Sequence, residues 1–145
     1  MTDKELSEAL QLEWQQQVLI CRIQGAWTQA VTTELIRQVQ QQVQAFGGKP
    51  WVRVMDMQHW ALATPDALAQ MQQFIGWEDQ HACVLRCFVG LNEVQQQLLD
   101  FKYDSSHKPL YFGHIDTATS YARQLLQQRG RSGLISGDKE YQDES

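Results

Sequence analysis

Nowhere in its 145 residues does the chain hold the run of roughly eighteen apolar side chains that a membrane-spanning helix requires. Positive charge is also in short supply. Twelve Lys and Arg stand against seventeen Asp and Glu, for a formal charge of −5, so the concentrated basic surface needed for general nucleic-acid binding is missing. The opening Met1-Thr2-Asp3-Lys4-Glu5 does not have the basic-then-apolar order of a signal peptide, and a cytoplasmic, reducing setting is expected. Cysteine is sparse and odd in number. Cys21, Cys83 and Cys87 lie inside apolar, strand-like runs, which suits buried free thiols rather than a disulfide framework or a zinc site. A glycine-rich phosphate loop, a nucleophile elbow, a paired-cysteine metal motif and a helix-borne zinc motif are all lacking. No cofactor or metal is implied, and no catalytic residue is identified.

What is present is the make-up of one soluble globular domain, with 43% hydrophobic and 20% charged residues. Leu10, Leu12 and Trp14 alternate with polar residues in a short strand, and Val18 to Gln24 follows closely enough to pair with it antiparallel. Thr28 is a candidate N-cap for a helix to Phe46 in which Val31, Leu35, Val39 and Val43 recur every fourth residue. Gly47-Gly48 then supplies the left-handed stop. Trp51 to Met57 reads as a strand, and Thr64-Pro65 has the N-cap and first-turn chemistry of a second helix with Leu68, Met71 and Ile75 inward. Trp77 points away from that stripe, as a surface contact or a loop cover. Cys83 to Val89 is the next strand; Gly90 breaks it, and Asn92 caps a helix with Val94, Leu98 and Phe101 along one side. Leu110 to Ile115 is the last strand. A helix from about Thr117 to Gln128 presents Ala118, Tyr121, Ala122, Leu125 and Leu126 as one stripe, and the polar stretch from Arg129 to Ser145 is expected to be a disordered tail outside a domain spanning 8–128.

Strands alternating with single helices imply a mostly parallel α/β sheet of about five strands, the first antiparallel. Arg22, Arg53 and Arg86 occupy the middle of successive strands, whereas a sheet covered on both sides should read as continuously apolar. The expectation is therefore helices mainly on one face and strands in sequential order, with the three arginines adjacent on the other.

A superhelix of sequential β-α turns opened by an antiparallel strand resembles the SpoIIAA-like, STAS-related fold over about residues 8–128. Its markers here are Val54-Met55-Asp56-Met57 at a strand end, the Gly90 turn before a helix, and Tyr121-Ala122 ahead of Leu125-Leu126. In the anti-sigma-factor antagonists of this fold a phosphorylatable serine sits where the second helix begins. This chain has Ala63-Thr64-Pro65-Asp66 there, and Thr64 is already accounted for as an N-cap. The resemblance is nearer to an uncharacterised SpoIIAA-like branch for which binding of nonpolar molecules and membrane association have been suggested. It implies either a non-catalytic binding module or a STAS-type regulatory protein-interaction domain.

Three surfaces are candidates. Ligands of open α/β sheets bind at the carboxyl ends of strands, where Trp27, Trp60 and Leu91 would wall an apolar crevice with Asp56 beside it, suited to a small hydrophobic ligand. At the same end Asp56, His59, His114 and Asp116 could instead form an acid-base or metal site, although their plainer role is to satisfy loop amides and helix starts. The second surface is the sheet face of Arg22, Arg53 and Arg86 with Trp51 and Phe88, whose mixture of arginine and large apolar groups fits contact with a second copy, most simply as a homodimer. The third is the final helix, which has leucines on one side and Arg123 and Arg129 elsewhere. An interfacial membrane role is open to it, with docking on the sheet the simpler reading.

Overall fold

The computed structural model describes residues 2–102 and 108–135. Its elements are α1 (Asp3–Ala9), β1 (Leu10–Gln15), β2 (Val18–Trp27), α2 (Gln29–Phe46), β3 (Trp51–Ala63), α3 (Pro65–Gln80), β4 (Cys83–Val89), α4 (Glu93–Lys102), β5 (Leu110–Phe112) and α5 (Ile115–Ile135). One sheet runs in the order β1-β2-β3-β4-β5, with β1 antiparallel to β2 and every later pair parallel. Short connections and sequential order leave the chain winding in one direction, as right-handed crossovers require.

The caps sit where their chemistry places them. Thr28 and Thr64 hydroxyls accept the amides of Val31 and Ala67, Pro65 takes the first turn of α3, and Gly47 ends α2 with φ of 92°. Asn92 and Gln95 exchange side-chain and backbone hydrogen bonds at 2.8 Å, a capping box that starts α4. A second capping box, Thr2 with Glu5, starts α1, an element the sequence reading leaves out. At the other end α5 runs on through Ile135, so Arg129–Ile135 extend a helix where a tail is expected. Residues 136–145 lie outside the described residues.

Both faces of the sheet are covered. On the first, Leu19, Cys21, Ile23, Trp51, Met55 and Phe88 meet Val31, Leu35, Val39 and Val43 of α2 and Ala67, Met71, Phe74 and Ile75 of α3, with Leu99 of α4 at the margin. Each aliphatic side chain so buried contributes about 1.5–3 kcal/mol. On the second face Val18, Ile20, Val52, Val54, Cys87 and Val89 meet Ala118, Ala122 and Leu126 of α5 alone. Helices are thus mainly on one face, and the final helix docks on the sheet.

The arginine face takes a different form from the expected one. Leu19 stands opposite Arg53 and Arg53 opposite Arg86, whereas Arg22 stands opposite Asp56, three residues further on. Side chains opposite one another share a face and successive ones alternate, so Arg53 and Arg86 belong under α2 and α3 while Arg22 projects from the other side. Trp51 and Phe88 are fully buried in the first core, and Arg53 and Arg86 are 0% and 5% exposed. No shared surface carries these five residues to a second copy. Arg53 instead donates from Nε to Glu78 of α3 at 2.7 Å, and Arg86 donates to the other Glu78 oxygen at 2.7 Å and to Asp79 at 2.9 Å. Glu78 is itself 0% exposed. Burial is the largest single influence and works against the Arg86 charge, while the charge and hydrogen bond of Glu78 act the other way, and the net direction of its pKa is up. Buried charge persists when it is paired in this way, and removing one partner is far costlier than the pair's net worth.

Candidate functional site

The carboxyl ends of the strands form the best-defined irregular region. β2 and β3 run past the rest of the sheet as a two-stranded ribbon in which Gln24 pairs with His59, Gly25 with Trp60 and Trp27 with Ala63. The β3–β4 ladder stops earlier, at Asp56 opposite Val89. His59 and Trp60, expected in a loop, are therefore strand residues. Gly90 turns the chain away from β4 with φ of 90°, and a Cβ there would lie 2.8 Å from Cγ of Gln58 and 3.1 Å from its Cα. Only glycine permits that approach together with that φ.

Trp27 and Trp60 meet edge to face with ring centroids 6.3 Å apart. They do not wall one crevice. Trp27 is fully buried with Leu91 in the first core, and Trp60 lies half-buried above. Asp56 faces the other side of the sheet, where its carboxylate accepts the Gln58 amide at 3.2 Å and pairs with Arg22 at 3.3 Å; Arg22 in turn bonds Glu13. His59, His114 and Asp116 are exposed, and among the described residues no three His, Cys, Asp or Glu side chains converge as a metal site would require. The three cysteines are free, and burial pushes their thiols up to about 12, leaving no thiolate nucleophile at neutral pH. Another aromatic cluster, Phe74, Trp77 and His81, is a continuous stack with centroids 5.2 and 3.9 Å apart, so Trp77 covers the turn into β4.

What the region does offer is a mainly apolar hollow of about 230 Å³ lined by Trp60, Ala61 and Ala63 of β3, Leu68 of α3, and Gln95, Leu98 and Leu99 of α4. Beside it Val94 and Leu98 project from α4, 65% and 64% exposed, while their neighbour Leu99 is 5% exposed and anchors the helix. Sequence reasoning placed Val94 and Leu98 on one side of the helix without telling which side faces the core. The competing stripe of Leu91, Gln95 and Leu99 was the available signal. At the start of α3 the Thr64 hydroxyl hydrogen-bonds Asp66 and caps Ala67. No described helix is long and apolar enough to cross a membrane.

No protein-family model and no curated protein matches the sequence. Solved structures do. The anti-sigma factor antagonist SpoIIAA in its unphosphorylated form aligns with a TM-score of 0.58 at 10% identity, over 84% of this chain and 99% of that one. An anti-sigma factor antagonist from Mycobacterium paratuberculosis aligns at 0.60 and 15% identity over 79% and 92% of the two chains. An uncharacterised protein with a SpoIIAA-like fold from Shewanella loihica gives 0.57 and 12% over 79% and 92%. The chain has the SpoIIAA-like fold, in agreement with the resemblance read from its sequence.

Proposed function

We propose that this domain is a non-catalytic regulatory module that docks a protein partner on the α4 side of the strand ends. The observation that carries the reading is the exposure of Val94 and Leu98 beside the hollow of Trp60, Leu68 and Leu99. Two large aliphatic groups held out on a helix whose own leucine is buried form an anchor for another protein's apolar side chains. The fold is shared with proteins named as anti-sigma factor antagonists, and that likeness supports the partner-binding reading by analogy. A small nonpolar ligand is served less well, because the hollow of about 230 Å³ falls below the roughly 300–1,000 Å³ of typical ligand pockets. Asp66 and Glu93, exposed in the first turns of α3 and α4, oppose an anionic lipid surface. Thr64 serves as a helix cap in this reading.

A photoreactive amino acid at position 94, introduced in cells, tests it. A discrete protein adduct that disappears with Leu98→Asp, and that the same probe at Gln127 of α5 does not form, is expected. An adduct indifferent to Leu98→Asp, or no protein adduct at all, overturns the reading.

A further inference from the structure

The hollow lies where β3 leaves the body of the sheet, bounded by Trp60, Ala61 and Ala63 and by α3 and α4. Against β2 the register of β3 shifts between Trp60 and Ala63, the mark of a bulge. The ladders show which side of the strand is open. β2 accompanies β3 on one side as far as Ala63, whereas on the β4 side pairing ends at Asp56, and among the described residues no strand pairs with Met57–Ala63 along that side. That stretch is long enough for a strand of about five or six residues, and α4 forms the far wall with Leu98 and Leu99.

We propose, resting on the docking reading above, that the partner binds as an extended segment that adds a strand to this open edge of β3. It occupies the place where β4 would lie if it continued beyond Val89. Main-chain groups of His59–Ala63 hold it, and on the helix-covered side of the ribbon its alternate side chains reach Trp60, Leu68 and the Val94–Leu98 ridge. Strand addition takes affinity from the backbone and specificity from alternate side-chain positions, the two elements this edge supplies. An unpaired strand edge is a feature soluble domains usually cover or blunt, and one left open beside exposed Val94 and Leu98 is matched to another chain.

The probes are synthetic hexapeptides alternating Val, Leu, Ile or Phe with Lys or Thr, each compared with a version N-methylated at alternate residues, and one leucine-lysine amphipathic helical peptide. Binding is followed by amide NMR of the full chain. The expected result is that extended peptides shift the amides of His59–Ala63 and slow their hydrogen exchange at least tenfold. N-methylation in one of the two alternate registers should weaken binding at least tenfold, and Leu98→Asp should weaken it without altering the spectrum of the free protein elsewhere. Equal binding of parent and both N-methylated registers overturns the inference, as does the absence of any response at His59–Ala63. If only the helical peptide binds, at Leu98, strand addition is wrong and docking on α4 stands; if nothing binds, strand addition is wrong and the cross-link from position 94 decides the docking reading separately.

Discussion

Two regions of this molecule invert the usual placement of side chains, and they do so in opposite senses. Beneath α3, Arg53, Glu78 and Arg86 put charge in the interior; on the outer side of α4, Val94 and Leu98 put aliphatic carbon in water. The first inversion is answered within the chain, since each arginine donates to Glu78 at 2.7 Å. The second is not. Internally matched exceptions of this kind belong to the fold, and the unmatched exception is where contact with something else is to be sought.

The comparison breaks most visibly at Glu78. Glu78→Gln leaves two guanidinium groups buried against a neutral amide, and denaturant unfolding should show a loss of about 3–5 kcal/mol. Arg53→Glu should fail to fold stably, which is the reverse of what an exposed interface arginine would do. Leu99→Ala sharpens the contrast within α4 itself. Truncating a buried leucine costs about 2–5 kcal/mol, and a loss of at least about 2 is expected at this marginal position by the same measurement.

Legibility from sequence divides along the same line. The five strands, their order, the antiparallel opening and the caps at Thr28, Thr64 and Asn92 follow from local periodicity and turn chemistry, and the structure has them. Which face each β3 side chain takes depends on register, and a one-residue slip exchanges the faces. Setting Arg22 and Arg53 on one face puts Val52 and Val54 with Leu19 and Cys21 on the other, but Leu19 is opposite Arg53. β4 adds an irregularity after Cys83, so Cys83 pairs with Trp51 and Leu85 with Val52, on opposite faces despite their spacing of two. The run Val18-Leu19-Ile20-Cys21, buried throughout, marks a strand covered on both sides. Arginine appeared to contradict that only because its partner, Glu78, comes from a different element. At the strand ends Trp60 lines a hollow while Trp27 and Leu91 lie in the core, and the walls contributed by α3 and α4 depend on how those helices rotate.

Smaller effects test the local framework. Thr64→Ala should lower stability by about 1 kcal/mol in thermal or denaturant unfolding, as loss of a cap does. Stoichiometric phosphorylation of Thr64 in cells would contradict its assignment as a cap alone. At the surface, hydrogen bonds from Arg37, at 3.0 Å from its Nε, and from Gln38 hold the Glu34 carboxyl at about 2. A depressed folded-state pKa stabilises above the unfolded value near 4.5 and ceases to do so as pH falls through about 2. The stability difference between wild type and Glu34→Gln should therefore be present at neutral pH, shrink between those values and vanish below them, as followed by unfolding at a series of pH values.

That the α4 ridge is surplus to the fold is the claim from which the functional reading proceeds, and equilibrium urea unfolding of Leu98→Asp beside the wild type tests it most directly. A side chain 64% exposed should be replaceable with a change within about 0.5 kcal/mol and an unaltered slope. A loss of about 2 kcal/mol or more would show that Leu98 belongs to the core of this domain and would remove the surface on which the proposed docking depends.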